Sequence, residues 1–476
     1  MITFTVALVA LILGYFLYGK FVEKVFGPDE RQTPAITKMD GVDFIPMKSW
    51  KIFMIQFLNI AGIGPIFGAI MGAKFGSASY LWIVFGSIFA GAMHDYMAGM
   101  LSIRHQGESL PEIIGRYLGI TTKQIMRVFS LVLMLLVAAV FVSGPAGLLN
   151  TLTGMDALWW IIIIFVYYML ATLLPVDKII GKIYPLFAFA FLFMAVGVLV
   201  MLYVIHPELP ELTDGLSNTH PQADSLPIFP IMFVSIACGA ISGFHATQSP
   251  LMARCMVNEK LGRPIFYGAM ITEGIVALIW AAAATYFFHE NGMGESNPAN
   301  IVNSITNNWL GTAGAVLAIL GVVFAPITSG DTALRSARLI VADFLQMEQK
   351  SITKRLFISV PIFIVTMGIL VYSLEDKDGF GMIWRYFAWL NQALSVFTLW
   401  AITAYLVRAK KMYLISLIPA LFMTMVCVSY IFVAPECMGQ DKSIAYIAGG
   451  IAVVTSIVFF CYWKFRVAVN MPNFGD

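Results

Sequence analysis

Two glycine-rich segments of the sequence have residue types that suit the binding of a small charged ligand. Residues 55–68 and residues 231–245 both contain the pattern Ile-x-Phe-x-x-Ile-Ala, and both then become rich in glycine in the middle of an apolar run. Glycine weakens a helix, whereas Pro65 suits the first turn of a new one because that turn needs no backbone donor. Such an interruption frees amides that suit a carboxylate and carbonyls that suit a cation.

The two segments together predict a substrate site. Each would place the N-terminus of a half-helix against the carboxylate of a substrate, and nearby polar side chains would add selectivity. The expected substrate-binding residues are Asn59, Gly62, Gly64, Gly239, Ser242, Gly243, His245, Thr247 and Gln248. For one such segment alone, close helix packing or a kink is the better explanation. The match of two segments in position and in sequence favours a binding site.

Three ionisable residues lie inside other apolar runs, where a charge is costly and is usually kept for a function. His94 and Asp95 are adjacent near the end of one run, and a polar pair at the headgroups explains them as well as a coupling role does. Glu273 lies about midway along another run, where a proton carrier and a hydrogen-bonded structural acid are equally consistent. All three are candidates for ion coupling.

Hydroxyl groups near residue 330 offer a second place for a cation. Thr328 and Ser329 supply hard oxygen ligands, and with carbonyls of the first segment, such as that of Ala61, they could hold Na⁺. Asp331 is a further candidate for ion coupling, although its i,i+4 spacing from Arg335 favours a structural ion pair. The pattern establishes no other metal site.

The remaining polar residues in apolar runs favour a structural role. Asn391 and Gln392 could line a pathway or bridge two helices, and bridging is favoured. The five cysteines show neither a CxxC motif nor a Cys/His spacing typical of zinc, and no structural disulfide is expected.

The elements that must position these residues are membrane helices. The chain has 476 residues, of which 59% are hydrophobic and 12% charged, and its mean hydropathy is +0.83. Soluble domains are about half apolar and about a quarter charged, so an ordinary soluble enzyme is excluded. A net charge of +2 without long basic blocks also argues against a nucleic-acid partner. Apolar runs long enough to cross a bilayer as helices lie near residues 3–19, 51–71, 78–101, 125–149, 157–174, 183–205, 227–246, 265–288, 311–329, 355–373, 382–406, 412–433 and 444–464.

The charges of the connecting segments predict how these runs are oriented. Most Lys and Arg residues fall on alternate connecting segments, whereas the long segments 206–226 and 289–310 contain none. The basic set is cytoplasmic by the positive-inside rule. The N-terminus is therefore expected outside and the C-terminus in the cytoplasm. The two glycine-rich segments lie five runs apart and enter the membrane from opposite sides, which indicates an inverted repeat of five helices.

At these residues the chain resembles the carbon starvation protein A (CstA) family of inner-membrane transporters. The matching stretches are Gly64–Ala69, Met93–Asp95, Arg104–Gly107, Gly239–Pro250, Thr328–Arg335 and Asn391–Gln392. The resemblance implies uptake of small carboxylate nutrients, which are peptides for some members and pyruvate with H⁺ for others. It also implies the fold of the amino acid–polyamine–organocation (APC) superfamily, which has two inverted five-helix repeats as in the leucine transporter LeuT.

Pattern and resemblance together predict an all-α integral membrane protein of about 13 transmembrane helices, with a LeuT-like repeat of five plus five helices and two discontinuous helices. The expected layout is an extra helix at 1–22, a cytoplasmic loop at 23–50, a first repeat at 51–205, an extracytoplasmic loop at 206–226, a second repeat at 227–406 and two peripheral helices at 407–476. In proton-coupled members of this fold a Lys at the start of the fifth core helix can replace sodium, and Lys182 lies near that place.

The predicted function is ion-coupled import of pyruvate or short peptides across the inner membrane by alternating access. No Walker motif is present, so an ion gradient of H⁺ or Na⁺ must drive accumulation. The expected ion-coupling residues are Ala61, His94, Asp95, Lys182, Glu273, Thr328, Ser329 and Asp331. Neither enzymatic activity nor a cofactor is expected, membrane lipid is the surrounding partner, and the oligomeric state stays open. The alternatives are a passive channel and a haem-binding redox subunit, for which His94 and His245 offer at most one bis-His pair.

Overall fold

The protein is built from helices that follow the apolar runs. The computed structural model describes residues 1–173, 180–294, 297–375 and 379–470, and these residues contain no strand. The first helices are α1 (Ile2–Phe16), α2 (Tyr18–Phe26), α3 (Pro34–Thr37), α4 (Ser49–Ile60), α5 (Gly64–Ala73), α6 (Ala78–Phe85), α7 (Ala92–Arg104), α8 (Leu110–Leu118), α9 (Ile120–Thr153) and α10 (Ala157–Leu173). They are followed by α11 (Ile180–Ile205), α12 (Phe233–Ser235), α13 (Gly243–Ala253), α14 (Gly268–Asn291), α15 (Pro298–Leu345), α16 (Ile352–Glu375), α17 (Gly379–Arg408), α18 (Leu414–Val433) and α19 (Lys442–Asn470).

Short π-helical and 3₁₀-helical turns lie next to several of these helices. Wide π-helical turns at Gly86–Gly91, Ile228–Met232 and Arg263–Tyr267 lead into α7, α12 and α14, and tight 3₁₀ turns lie at Leu212–Asp214 and Glu259–Leu261. The first π-helical turn packs on the second glycine-rich segment, because the Ser87 hydroxyl donates to the carbonyl of Gly239 at 3.0 Å. Wide turns of this kind occur frequently at functional sites.

The helices coincide with the apolar runs expected to cross the membrane, but some of these runs contain two helices in place of one. In the described residues, nine helices are long and apolar enough to cross a membrane, and the bent pair α4–α5 makes a tenth. The other three apolar runs fall on α10, on α6 with α7, and on the interrupted helix that contains α12 and α13. The span that contains α14 lies at the centre of the bundle, because 89% of its most apolar 18-residue stretch is buried. In α19 only 17% of the corresponding stretch is buried.

The first expected discontinuity is confirmed between α4 and α5. Helix α4 ends at Ile60, the backbone of Ala61 is not helical, and α5 begins at Gly64 with Pro65 in its first turn. The axes of α4 and α5 are bent by 46°. Proline loses no hydrogen bond at this position because the first turn of a helix leaves its amides without acceptors. We call residues 61–63 the first break.

The second expected discontinuity is confirmed between α12 and α13. Helix α12 ends at Ser235, and the chain then runs through non-helical backbone at Ile236 (ψ 63°) and extended backbone at Ser242 (φ −147°, ψ 123°) before α13 begins at Gly243. We call residues 236–242 the second break. Both breaks occur where the sequence becomes rich in glycine, so the local composition sets their positions.

The two breaks touch each other. A methyl group on Gly64 would lie 2.4 Å from the Sγ atom of Cys238, and one on Gly68 would lie 2.9 Å from the carbonyl oxygen of Ser235. Only glycine allows α5 to approach the second break this closely. Helix α14 also packs along α5 and against α4, so the two breaks lie in the buried centre of the bundle.

Helix α15 is longer than the apolar run that predicted it. The run ends at residue 329, whereas α15 begins at Pro298, changes direction at Gly311 (φ +62°) and continues to Leu345. The polar stretch after Ser329 resembles the end of a membrane span in sequence, but its side chains are buried and have partners in neighbouring elements. Helix α15 therefore carries Thr328, Ser329 and Asp331 well inside the protein.

The segment between α2 and α4, expected as a loop, is packed against α15. Asp43 is buried, and its carboxylate lies 3.4 Å from Arg335 and 3.3 Å from Arg338. Burial raises the pKa of Asp43, but the guanidinium groups of Arg338 and Arg335 outweigh it and hold that pKa below its usual range. The ionised carboxylate therefore ties this segment to the end of α15.

Candidate functional site

The last turn of α4 presents two buried carboxamides beside the first break. Asn59 and Gln56 are fully buried, and within the described residues neither side-chain amide has a hydrogen-bond partner. They are three residues apart and so share one face of α4. Asn59 was expected in the site, whereas Gln56 was missed, although its spacing from Asn59 in an apolar helix was a usable signal.

The first break itself offers bare backbone amides. In the part of the chain that the structure describes, the N–H groups of Gly62, Ile63 and Gly64 reach no acceptor. They lie at the N-terminus of α5, where the helix dipole adds partial positive charge. The ring of Phe141 and the hydroxyl of Ser329 lie close to Gly62. This arrangement suits a small anion.

The second break differs from the expectation because its helix N-terminus is already bonded. The backbone amide of Phe244 donates to Oδ1 of Asn391 at 2.7 Å, and the hydroxyl of Ser242 donates to the same oxygen at 2.9 Å. A side-chain oxygen at this position satisfies an amide that the first turn leaves without an acceptor. Asn391 thus bridges α17 to the second break, as expected, while Gly243 does not present a bare N-terminus.

Thr247 and Gln248, both expected near the substrate, lie one turn further along α13. The Thr247 hydroxyl donates to the carbonyl of Phe244 at 2.6 Å, and Nε2 of Gln248 donates to the Ser336 hydroxyl at 3.3 Å. The first bond lies within α13, and the second joins α13 to α15. Both side chains therefore lie along α13, whereas Asn59, Gly62, Gly64, Gly239 and Ser242 lie in or next to the breaks.

A chain of four buried ionisable side chains borders the second break. The Nδ1 atoms of His94 and His245 each lie 2.8 Å from one oxygen of Asp95, and Nε2 of His245 lies 3.4 Å from Oε2 of Glu273. All four side chains are 0% exposed. An ionised carboxylate only accepts, so both rings donate Nδ1–H to Asp95. His94 and Asp95 are therefore interior groups and do not lie at a headgroup surface.

Glu273 completes this chain from α14. Neither of its carboxylate oxygens has a hydrogen-bond partner within the described residues, so the contact with His245 is close but is not a hydrogen bond. Cys238 of the second break is also close to Glu273. One sulfur, ring nitrogen and carboxylate oxygen of Cys238, His245 and Glu273, respectively, all lie within 4.8 Å of one another. The structure thus gathers residues from α7, α13, α14 and the second break, which no spacing in the sequence could indicate.

The hydroxyls of α15 lie against the end of α4. Ser329 donates to the carbonyl of Leu58 at 2.7 Å and lies 3.0 Å from the carbonyl of Ala325, to which Thr328 also donates at 2.7 Å. Two hydroxyls and two carbonyls are therefore gathered beside the first break. Ala61, the expected carbonyl ligand, lies within the same break but forms no hydrogen bond with these hydroxyls.

Asp331 and Arg335 have different partners from the expected ion pair. The Tyr184 hydroxyl donates to Oδ2 of Asp331 at 2.6 Å, while Arg335 donates to the carbonyl of Ala171 at 2.7 Å and pairs with Asp43. The i,i+4 spacing is present, but each side chain extends to another element that offers a better-placed partner. Tyr184 was missed, since a tyrosine in an apolar run gives no signal. The side chain of Lys182 lies outside the described residues.

Comparison with known families identifies the chain. The model of the family described as carbon starvation protein CstA matches residues 1–151, 145–309 and 292–430. The chain belongs to the CstA family. The resemblance drawn from the glycine-rich segments is confirmed, and the protein is a CstA-family membrane transporter.

Curated relatives of this CstA-family chain include an uncharacterised membrane protein and named transporters. It is 46% identical to an uncharacterised membrane protein of Haemophilus influenzae over 60% of this chain and 91% of that one. It is 30% identical to the peptide transporter CstA of Campylobacter jejuni over 56% of this chain, and 28% identical to the pyruvate/proton symporter BtsT of Escherichia coli over 58%. These two matches span only 47% of each relative.

Solved structures agree on the fold. The CstA-family chain superposes on MhsT in complex with L-phenylalanine with a TM-score of 0.56 and 11% identity, covering 86% of this chain and 98% of that one. It superposes on the Eremococcus coleocola manganese transporter with a TM-score of 0.53 and 14% identity, covering 90% and 98%. The neighbours are LeuT-fold-like transporters, so the overall architecture of a LeuT-like fold is supported.

Proposed function

We propose that this CstA-family chain is an ion-coupled secondary transporter that imports a small carboxylate-bearing nutrient, pyruvate or a short peptide, across the inner membrane by alternating access. The observation that carries the proposal is the contact between the two interrupted helices, with Gly64, directly after the first break, against Cys238 of the second break. Facing interruptions in membrane helices are where secondary transporters bind substrate and ion. Two relatives are named for peptide transport and for pyruvate/proton symport, which supports the same class.

The substrate carboxylate would bind at the N-terminus of α5. The amides of Gly62 and Gly64 have no acceptor in the described part of the chain, and the carboxamide of Asn59 lies buried one turn earlier without a partner. A carboxylate would satisfy these donors and gain from the helix dipole. Gly239 and Ser242 of the second break and His245 at the start of α13 would contact the rest of the substrate, and Thr247 and Gln248 would follow on its path along α13.

The proposed architecture has thirteen spans with an inverted repeat. The break between α4 and α5 and the break between α12 and α13 would occupy matching positions in repeats at 51–205 and 227–406, with helix 1–22 and region 407–476 outside the repeats. The LeuT-fold-like neighbours support this layout. The distribution of Lys and Arg supports an outside N-terminus and a cytoplasmic C-terminus.

The coupling cation, H⁺ or Na⁺, would bind at one of two buried places. The oxygens of Thr328 and Ser329 with the carbonyl of Leu58 form a donor set of the kind that suits Na⁺, with Ala61 and Asp331 close along the chain. The buried group of His94, Asp95, His245 and Glu273 is the other place, and Lys182 stays a proposed coupling residue on the strength of the resemblance. The name of the BtsT relative supports H⁺.

Uptake into proteoliposomes tests the function. Labelled pyruvate and a labelled dipeptide would be offered to vesicles that contain the purified chain, under an inward H⁺ gradient, an inward Na⁺ gradient or neither. We expect saturable accumulation of one substrate under one gradient, and its collapse when an ionophore dissipates that gradient. Uptake that does not saturate and ignores both gradients would contradict the proposal and indicate a passive channel.

A further inference from the structure

Three side chains beside the second break form a donor set for a transition metal. The Sγ of Cys238, a ring nitrogen of His245 and a carboxylate oxygen of Glu273 lie within 4.8 Å of one another, and all three residues are buried. They come from the second break, α13 and α14. Cys238 and His245 are seven residues apart, but Glu273 follows His245 by 28 residues, so the absence of a zinc-like spacing in the chain does not argue against a site assembled by the fold.

The ligand atoms face each other without bonding to each other. Nε2 of His245 lies 3.4 Å from Oε2 of Glu273, and within the described residues neither atom has a hydrogen-bond partner. Metal–ligand distances of about 2.0–2.1 Å in a tetrahedral site separate two ligands by roughly 3.4 Å. The observed separation equals this tetrahedral edge, so one ion between the two atoms would satisfy both.

The outer contacts fix the histidine in the orientation that a metal ligand needs. Nδ1 of His245 donates to Asp95, and the other oxygen of Asp95 is held by His94 at 2.8 Å. A carboxylate that accepts from one ring nitrogen leaves the other nitrogen as an electron donor and sets the direction of its lone pair. Here that direction leads from His245 to Glu273 and Cys238. The same carboxylate–histidine–metal arrangement supports zinc in many proteins.

Charge balance favours a divalent ion at this place. A fully buried carboxyl group without a hydrogen bond stays protonated and neutral unless a cation compensates the charge of its ionised form. A thiolate, a neutral imidazole and a carboxylate around a divalent ion sum to zero charge. Sulfur and imidazole ligands select zinc over magnesium and calcium, which prefer oxygen.

We propose that Cys238, His245 and Glu273 bind one Zn²⁺ ion through thiolate, imidazole and carboxylate, leaving a fourth position for a water or a ligand atom. The ion joins the second break to α14 and so holds the break in one position. A consequence for transport rests on the proposed function: in a protein that works by alternating access, an ion that fixes this region would slow transport. The binding itself does not depend on which substrate is transported.

Cobalt spectroscopy of the purified full-length chain tests the site. Co²⁺ replaces Zn²⁺ in such sites and gives a thiolate-to-cobalt charge-transfer band together with visible bands of tetrahedral cobalt. After treatment with a chelator and a non-thiol reductant, we expect the protein to take up one equivalent of Co²⁺ slowly, because the ligands are buried, and Zn²⁺ to abolish both bands.

Variants identify the ligands. Cys238→Ser removes the charge-transfer band, whereas the control Cys427→Ser, which changes another buried cysteine in α18, leaves it unchanged. Glu273→Gln weakens Co²⁺ binding at least about tenfold, and Asp95→Asn weakens it about 10- to 100-fold through the orientation of His245. Size-exclusion chromatography checks that each variant is folded.

A measurement on the unmodified protein keeps the test decisive if a variant fails to fold. Mass spectrometry would follow alkylation of each cysteine with and without Zn²⁺, and we expect Zn²⁺ to slow alkylation of Cys238 but not of Cys427. No Co²⁺ uptake, identical spectra for Cys238→Ser and Cys427→Ser, or equal alkylation with and without Zn²⁺ would overturn the proposal.

Discussion

The two breaks are in contact, yet they are chemically opposite. Around the first break the polar groups are bare amides, the neutral carboxamide of Asn59 and the hydroxyl of Ser329. Around the second, the helix N-terminus is bonded by Asn391, and the buried side chains of His245 and Glu273 lie next to it. Backbone donors without acceptors therefore lie at the first break, and carboxyl oxygens without donors lie beside the second.

This chemical difference indicates that the two breaks bind ions of opposite charge. The Asp95 carboxylate, and Glu273 whenever it is ionised, would repel a substrate carboxylate in a low-dielectric interior, so the second break is a poor place for an anion. In the described part of the chain, the side chains nearest Gly62 and Gly64 are those of Phe141, Ser329 and Cys238, and this break presents the positive end of α5. We infer that the anion binds at the first break and that cations bind at the second or at the oxygens of α15.

The largest expected effect comes from forcing the breaks apart. In Gly64→Ala the added carbon would lie 2.4 Å from Sγ of Cys238, and overpacking of this kind costs about 1–3 kcal/mol. We expect uptake to fall about 100-fold, since a displacement of about 1 Å in a binding site has effects of that size. Uptake in proteoliposomes and thermal unfolding in detergent measure the two effects.

Gly450→Ala is the matched control, because an added carbon there has no neighbour within 4 Å. It lies in α19, where alanine is the better helix former, so we expect stability to stay the same or rise. Equal uptake by Gly64→Ala and Gly450→Ala would mean that the breaks tolerate separation and that their contact is not part of the site.

The next largest effect is expected at the first break, where the substrate anion is proposed to bind. Asn59→Ala removes a carboxamide proposed to donate to the substrate, and a hydrogen bond to a charged group is worth about 1.5–3 kcal/mol. We expect KM for uptake to rise about 10- to 100-fold. Stability should not fall, because the Asn59 amide has no partner within the described residues.

Asn150→Ala provides the control, since Asn150 is exposed at the end of α9. It should leave KM unchanged. A loss of stability in Asn59→Ala without a change in KM would show that Asn59 supports the fold and does not contact the substrate.

A smaller effect is expected where the second break is capped. Asn391→Ala removes the acceptor for the Phe244 amide, and loss of such a cap costs about 0.5–2 kcal/mol of stability. Thermal unfolding would measure this loss, with Gln392→Ala as a control that breaks only the bond to the carbonyl of Phe233. If removal of the cap instead improved substrate affinity, the second N-terminus would also be an anion site, and the proposed division would fail.

The sequence predicted the architecture because the dominant forces are local and periodic. Apolar runs specify membrane helices, and the glycines near residues 62 and 239 weaken two of them at the positions where the structure shows breaks. Helix α15 extended further than its apolar run because buried polar side chains such as Arg338 found partners in another element, which composition does not reveal.

The site was only partly predictable, because contacts between residues far apart in the chain cannot be inferred from local patterns. Asn59, Gly62 and Gly64 adjoin one another in the chain, so the pattern could identify them as one group. The chain of His94, Asp95, His245 and Glu273 depends on the packing of α7, α13 and α14, and Asn391 reaches the second break from α17. Side chains were identified individually, but their partners are set by helix packing.

The smallest expected effect concerns the oxygens of Ser329 and Leu58 beside the first break. It tests whether Na⁺ binds there together with the substrate anion. Ser329→Ala removes the hydroxyl that bonds the carbonyl of Leu58, whereas Thr332→Ala removes a hydroxyl that bonds only within α15. One neutral interaction is worth about 0.5–1.5 kcal/mol, so half-saturation by Na⁺ should shift about 2- to 10-fold in Ser329→Ala and not in Thr332→Ala. Equal Na⁺ dependence in both variants would exclude these oxygens as the coupling site. The anion at the first break would then be paired with a cation held across the contact, at the buried acids of the second break.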